Sequence, residues 1–215
     1  AFLELAVRAG DQVGCDLVEE LTLEAPLVVP ERGAVRMQVR VGVPDESGRR
    51  SVTVHARDDD GDLWIRHASG VLVAGAEVPS ADAGVWPPAG AEAVDLDGLY
   101  DRMSDGGFAY GPVFQGLRAA WRKDDEVFAE VALPDGVEAG GFGLHPALLD
   151  ASLHAIGLMG DADGPGRLPF SWSGVRLHAS GASVLRVRLA PAGNDGVSLA
   201  VVDGAGAPVV SIDSL

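Results

Sequence analysis

Basic side chains are scarce in this sequence, cysteine is nearly absent, and no long apolar run occurs. Sixteen Lys and Arg stand against 32 Asp and Glu, a net charge of −16. Binding a phosphate backbone takes clustered cations that release counterions, so nucleic acid is excluded as a partner. Cys15 is the only cysteine, which excludes an internal disulfide and a thiolate zinc cluster and fits a reducing cytosol. No apolar stretch approaches the roughly 20 residues that a membrane helix needs, so the chain reads as a cytoplasmic protein with no membrane partner. No Gly-x-Gly-x-x-Gly, Walker-type or Gly-x-Ser-x-Gly motif occurs, which argues against nucleotide binding and serine hydrolysis. Lys123 is the one lysine against fifteen arginines, and Asn194 is the one asparagine, a bias that points to a GC-rich bacterial gene.

What is present is an ordinary globular composition: 215 residues, 47% apolar and 22% charged. Glycine (29) and proline (13) are abundant, which implies many turns between short strands. Residues 1–9 are good helix formers, apolar almost all round and ended by Gly10, so this helix is expected to be buried. Four strand-like stretches follow at 16–25, 34–42, 51–57 and 63–74, with clear alternation in Val35, Met37, Val39, Val41 and in Val52, Val54, Ala56. The pattern fades over 76–95, where Pro79 and Trp86-Pro87-Pro88 suggest a linker. A short helix at 96–104 and strands at 116–123 and 126–133 come next. The strongest helix signal starts at Pro146, a first-turn position that proline favours, and ends near Gly160. Strands at 173–178, 182–190, 196–203 and 207–213 complete the chain.

Both halves share a buried helix followed by four strands, and only the second half carries two strands before its helix. The expected division is a first unit over 1–75, a linker over 76–95 and a second unit over 96–215, in an α+β fold. If the halves are repeats, the first lacks its opening strands, and some 40 to 60 residues of the natural domain are expected upstream of Ala1.

The second helix carries the chemistry. Leu148, Leu149, Leu153 and Ile156 cover most of its circumference, while Asp150 and His154, four residues apart, share one stripe. A carboxylate on an apolar helix is costly to bury unless it is paired or protonated. Desolvation favours the protonated form, which is what a general acid needs near neutral pH. The spacing is equally that of a plain i,i+4 Asp–His pair on a partly exposed face, and it leaves both readings open. Among the other histidines, His55 and His178 alternate with inward-facing apolar neighbours and are expected to face solvent. His67 has no clear face, and His145 is expected to cap the helix or pack beneath it. No His or Cys spacing supports a metal site.

Three ordered motifs, Tyr110-Gly111-Pro112-x-Phe114-Gln115-Gly116, His145-Pro146-Ala-Leu-Leu-Asp150-x-x-x-His154 and Leu168-Pro169-Phe170-x-Trp172, resemble the dehydratase domain of modular type I polyketide synthases. The similarity runs over essentially the whole chain. It implies a double hotdog fold, two antiparallel sheets each wrapped around a central helix. It also implies elimination of water from a β-hydroxyacyl thioester carried on the phosphopantetheine of an acyl carrier protein. Asp150 would protonate the departing hydroxyl, His154 would orient Asp150, and Tyr110 would hydrogen-bond near the hydroxyl. The Gly111 N–H would hold the thioester carbonyl, and Pro112, Phe114, Leu168, Pro169 and Phe170 would line the substrate site.

The family's base lies in a His-x-x-x-Gly-x-x-x-x-Pro motif that would end immediately before Ala1, so the chain as given is expected to lack it. No bound cofactor or metal is expected. Expected partners are the acyl carrier protein, neighbouring synthase domains and a second copy in a homodimer. Because carrier proteins are acidic as well, docking would need a local basic patch, for which Arg118, Arg122 and Lys123 are the candidates. The alternatives are a non-catalytic acyl-binding or scaffolding double hotdog, and a double-bond isomerase or cyclase on the same frame.

Overall fold

The computed structural model describes residues 1–59, 61–75, 84–160, 169–193 and 196–215. In chain order its elements are α1 (Phe2–Asp11), β1 (Leu17–Leu23), β2 (Val35–Val41), β3 (Arg50–Asp58), β4 (Ile65–Val73), β5 (Glu92–Ala93), α2 (Leu99–Asp105), β6 (Leu117–Lys123), β7 (Glu126–Ala132), α3 (Pro146–His154), β8 (Ser171–Leu177), β9 (Val184–Ala192), β10 (Gly196–Asp203) and β11 (Pro208–Ile212). Short 3₁₀ turns occupy Pro112–Phe114 and Ala155–Leu158. The chain divides into two units, Ala1–Glu77 with Pro169–Arg176 and Leu215, and Val78–Leu168 with Leu177–Ser214.

In the first unit the antiparallel sheet runs β2-β3-β4-β1-β8, and α1 packs on β1, β2, β3 and β4. Alternation delivers the core: Val52, Val54 and Ala56 are buried on one face, in register with Gly70, Ala68 and Ile65 of β4. The helix answers with Leu3, Ala6 and Gly10 along one stripe, while Arg8 and Asp11 are exposed. It is therefore not buried all round, as its apolar composition suggests, because one sheet covers one face. Nor does Gly10 end it. The helix runs on to Asp11, and a Cβ at Gly10 would lie 2.6 Å from the Cys15 carbonyl oxygen, so glycine there permits a close return of the chain.

The second unit has the antiparallel order β11-β10-β9-β7-β6-β5, with α3 against β6, β7 and β9. Leu148 of α3 and Val131, Leu185, Val187 and Leu189 of the sheet are fully buried, each contributing roughly 1.5–3 kcal/mol by leaving water. Two features differ from the sequence-based division. The strand over Ser171–Leu177 pairs with β1 and belongs largely to the first unit, since a strand's partner is set by long-range pairing that its own residues do not encode. The described part of the supposed linker is packed on the second unit. Trp86 meets Trp121 and Phe128 edge-on at ring-centroid distances of 6.4 and 5.7 Å, and Glu92–Ala93 adds a strand to β6. Residues 76–83 of that segment lie outside the described residues. Each unit is thus an antiparallel sheet on a central helix, as the double hotdog reading expects, and no helix among the described residues is long and apolar enough to cross a membrane.

Candidate active site

The site grows out of α3. Pro146 opens the helix, and the His145 side chain caps it, its Nδ1 accepting the Ala147 N–H at 3.2 Å while the ring meets Phe142 at 4.7 Å. The capping expected of His145 is observed. Ala147, Leu148, Leu149, Ala151, Ser152 and His154 are buried, and the Ser152 hydroxyl satisfies itself by donating to the Leu148 carbonyl at 2.8 Å. Only the stripe of Pro146, Asp150 and Leu153 is partly open. Asp150 therefore projects from the one accessible line of a helix that is otherwise core, with its side chain 34% exposed, while that of His154 is 3% exposed. The helix ends at His154 and tightens into the 3₁₀ turn Ala155–Leu158, so it stops short of Gly160 as an α-helix.

His154 Nε2 lies 3.3 Å from Asp150 Oδ2. The contact is close but not aligned as a hydrogen bond, and Nε2 is buried with no other partner. Tyr110 packs its ring on the same imidazole, with centroids 4.2 Å apart. Its loop is pinned by the Gln115 side-chain amide, which donates to the Tyr110 carbonyl at 2.8 Å. The structure thus brings together the three expected catalytic residues, Asp150, His154 and Tyr110. Gly111, Pro112 and Phe114 follow in an exposed 3₁₀ turn. Gly111 has ordinary extended backbone, and a Cβ there would meet nothing within 4 Å, so open space lies beside it. Gly116 is the opposite case. A Cβ there would come within 3.0 Å of both the Ala132 carbonyl oxygen and the Ala151 methyl, so this glycine lets the motif's end approach α3.

Sequence reasoning missed Tyr100. It lies on α2, its oxygen accepts the Leu117 N–H at 2.9 Å, and it sits 3.3 Å from His154 Nδ1. A seven-residue helix has too little periodicity to single it out. The usable signal was scarcity, because the chain has only two tyrosines and both stand at this site.

Burial pushes both phenols above the usual tyrosine range. The Asp150 charge adds to the rise, and for Tyr100 the Leu117 N–H opposes it. Both tyrosines therefore stay neutral proton donors at physiological pH. Their folded values lie above the unfolded ones, so this contribution to stability is intact below pH about 10 and is lost as pH rises through the folded values. The midpoint of tyrosinate absorbance should lie above the ordinary tyrosine value in the folded chain, and in Asp150→Asn the midpoint for Tyr110 should fall. A titration at the ordinary midpoint would contradict this placement.

Other expectations are placed differently. His55 and His178 are half-buried, not solvent-facing: His55 Nδ1 is enclosed without a partner, and His178 Nε2 lies 3.0 Å from the Ser211 hydroxyl. His67 is buried, with Nδ1 3.0 Å from the Ala25 carbonyl oxygen and its ring stacked on Phe2. Pro169 and Phe170 belong to the first unit, where the Phe170 carbonyl accepts the Leu23 N–H at 2.7 Å and the side chain is exposed. Leu168 lies outside the described residues. Arg122 is exposed, and its guanidinium donates to the Leu158 and Gly160 carbonyls at 2.6 and 2.9 Å, fastening the end of the α3 segment to β6. Among the described residues, no group of three or more His, Cys, Asp or Glu is placed to hold a metal.

Comparison with known proteins agrees with this geometry. The model of the polyketide synthase dehydratase domain matches residues 1–57, and that of the polyketide synthase dehydratase N-terminal domain matches 78–215. Polyketide synthase GfsA of Streptomyces halstedii is 61% identical over 227 residues, covering 100% of this chain and 3% of that protein. Mycoketide-CoA synthase of Mycobacterium tuberculosis is 53% identical over 220 residues, covering 100% of this chain and 5% of that protein. The chain thus spans a small part of the length of these synthases. A solved structure described as erythromycin dehydratase superimposes with a TM-score of 0.91 at 44% identity, covering 100% of this chain and 78% of that one. Another, from work on dehydratase substrate selection for the borrelidin and fluvirucin polyketide synthases, gives 0.94 at 53% identity, covering 99% and 77%. With this fold, this identity and both family models matched, the chain belongs to the polyketide synthase dehydratase domain family and has its double hotdog fold.

Proposed function

We propose that this chain acts in a dehydration, in which a β-hydroxyacyl thioester on an acyl carrier protein loses water to give the α,β-unsaturated thioester. The carrying observation is the Asp150 carboxyl on the only open stripe of a buried helix, backed at 3.3 Å by a buried imidazole. In this reading the proton of Asp150 passes to the β-hydroxyl as the C–O bond breaks, the α-carbon gives up its proton, and those electrons form the new double bond. Tyr110, kept neutral, donates a hydrogen bond near the leaving oxygen. The open space at Gly111 admits the thioester, whose carbonyl gathers negative charge as the α-proton leaves, and the Gly111 N–H is the donor assigned to it.

His145 caps the helix and His154 backs Asp150, so neither is assigned the α-proton. Pro112 and Phe114 are assigned to the acyl chain. The phosphopantetheine arm of the carrier brings the substrate in, and the carrier, the neighbouring synthase domains and a second copy of the chain are the proposed partners.

Product analysis tests this reading. The full-length protein, given a defined β-hydroxyacyl carrier thioester, should yield the α,β-unsaturated chain still attached to the carrier. Release of free acid would mean thioester hydrolysis instead, and recovery of unchanged substrate would mean a non-catalytic binding domain.

A further inference from the structure

We propose that Tyr100 is a positioning residue for the acid: its hydroxyl fixes the tautomer of His154 so that a buried N–H faces Asp150. This rests on the reading of Asp150 as the acid.

Three segments converge on one phenol oxygen, α2 through Tyr100 itself, the first residue of β6 through the Leu117 N–H at 2.9 Å, and the end of α3 through His154 Nδ1 at 3.3 Å. The Leu117 N–H can only donate, so it occupies an acceptor lone pair of the phenol and leaves the phenol's proton free to be given. Burial keeps that proton on the oxygen, and His154 Nδ1 is the acceptor beside it. A neutral imidazole that accepts at Nδ1 carries its own proton on Nε2. That is the atom facing Asp150 Oδ2.

The opposite tautomer would set an Nε2 lone pair against the carboxyl, drawing the acid's proton toward the helix and away from substrate. With Nε2–H in place, Oδ2 is the accepting oxygen, the transferable proton resides on Oδ1, and the carboxylate left after transfer meets a donor. The loose alignment in the resting structure suits a contact that tightens as the carboxylate forms. The Tyr100 ring has a separate packing role, edge-on to His154 and Tyr110 at centroid distances of 5.6 and 6.4 Å, which phenylalanine would preserve.

The test is Tyr100→Phe, read by nitrogen-15 NMR of histidine-labelled chain, with the His154 signals assigned by their loss in His154→Gln. Wild type should show His154 protonated on Nε2 alone, and Tyr100→Phe should show a tautomer mixture. In the full-length protein the variant should lose about tenfold in kcat with KM little changed, as expected for one lost hydrogen bond. An unchanged tautomer with unchanged kcat, even with a lowered melting temperature, would overturn the proposal by leaving Tyr100 a packing role only. So would an Nδ1–H tautomer in the wild type, a measurement that does not depend on the variant's folding. If instead Asp150→Asn keeps full turnover, the acid reading has failed, and the tautomer measurement still decides what Tyr100 does to His154.

Discussion

Asp150→Asn is expected to lower turnover about 10³-fold, within the range that a positioned general acid supplies, while leaving the fold intact. The amide has the shape of the carboxyl but no acidic proton to give. Asp150 lies on the open stripe of α3, one-third exposed, so its replacement empties no cavity and leaves no buried charge unpaired. The unfolding free energy should stay within the change typical of a surface substitution, about 0.5 kcal/mol. This outcome separates the two readings that the i,i+4 spacing leaves open. A purely structural Asp–His pair on a helix contributes only about 0.3–0.5 kcal/mol, and its loss would leave turnover untouched.

Gly70→Ala should produce the largest loss of stability, about 3 kcal/mol or more, seen as a fall of about 10 °C in melting temperature. Gly70 lies in β4 opposite Leu21 of β1 on one side and Val52 of β3 on the other, and both of those side chains are fully buried. Beside it β1 bulges between Val18 and Glu20, bringing the Glu20 carbonyl so close that a Cβ at Gly70 would lie 2.1 Å from its oxygen. The obstruction is backbone in the middle of a sheet, so it cannot swing aside as a side chain would. Glycine in a strand interior marks such an approach. A melting temperature within 2 °C of wild type would show that the bulge relaxes at little cost.

The strands were legible wherever burial alternates. Val52, Val54 and Ala56 announced β3, and the β10 bounds of 196–203 coincide with the structure. Asp150 was legible as a candidate because a lone Asp on an apolar helix is conspicuous, and it lies on the one partly open stripe of α3. Interactions decided between distant segments were hidden. Ser171–Leu177 pairs with β1, more than a hundred residues away in sequence, and nothing local assigns it to the first unit. Trp86 and Glu92–Ala93 looked like linker because two paired residues and one aromatic make no pattern until β6 is beside them. Tyr100 escaped for the same reason, since Leu117 and His154 meet its hydroxyl only in the folded chain. The bonds from Arg122 to the carbonyls of Leu158 and Gly160 were hidden in the same way.

The central claim is that Asp150 gives up the proton that carries the β-oxygen away. The most direct measurement is the intact mass of a carrier protein loaded with a β-hydroxyacyl chain labelled with oxygen-18 at the hydroxyl, after incubation with the full-length protein and with its Asp150→Asn variant side by side. The account predicts that the wild type removes one labelled water while the acyl chain stays on the carrier, and that the variant leaves the loaded mass unchanged over the same time. Loss of labelled water at equal rates from both, or a label kept by the wild type, would contradict it.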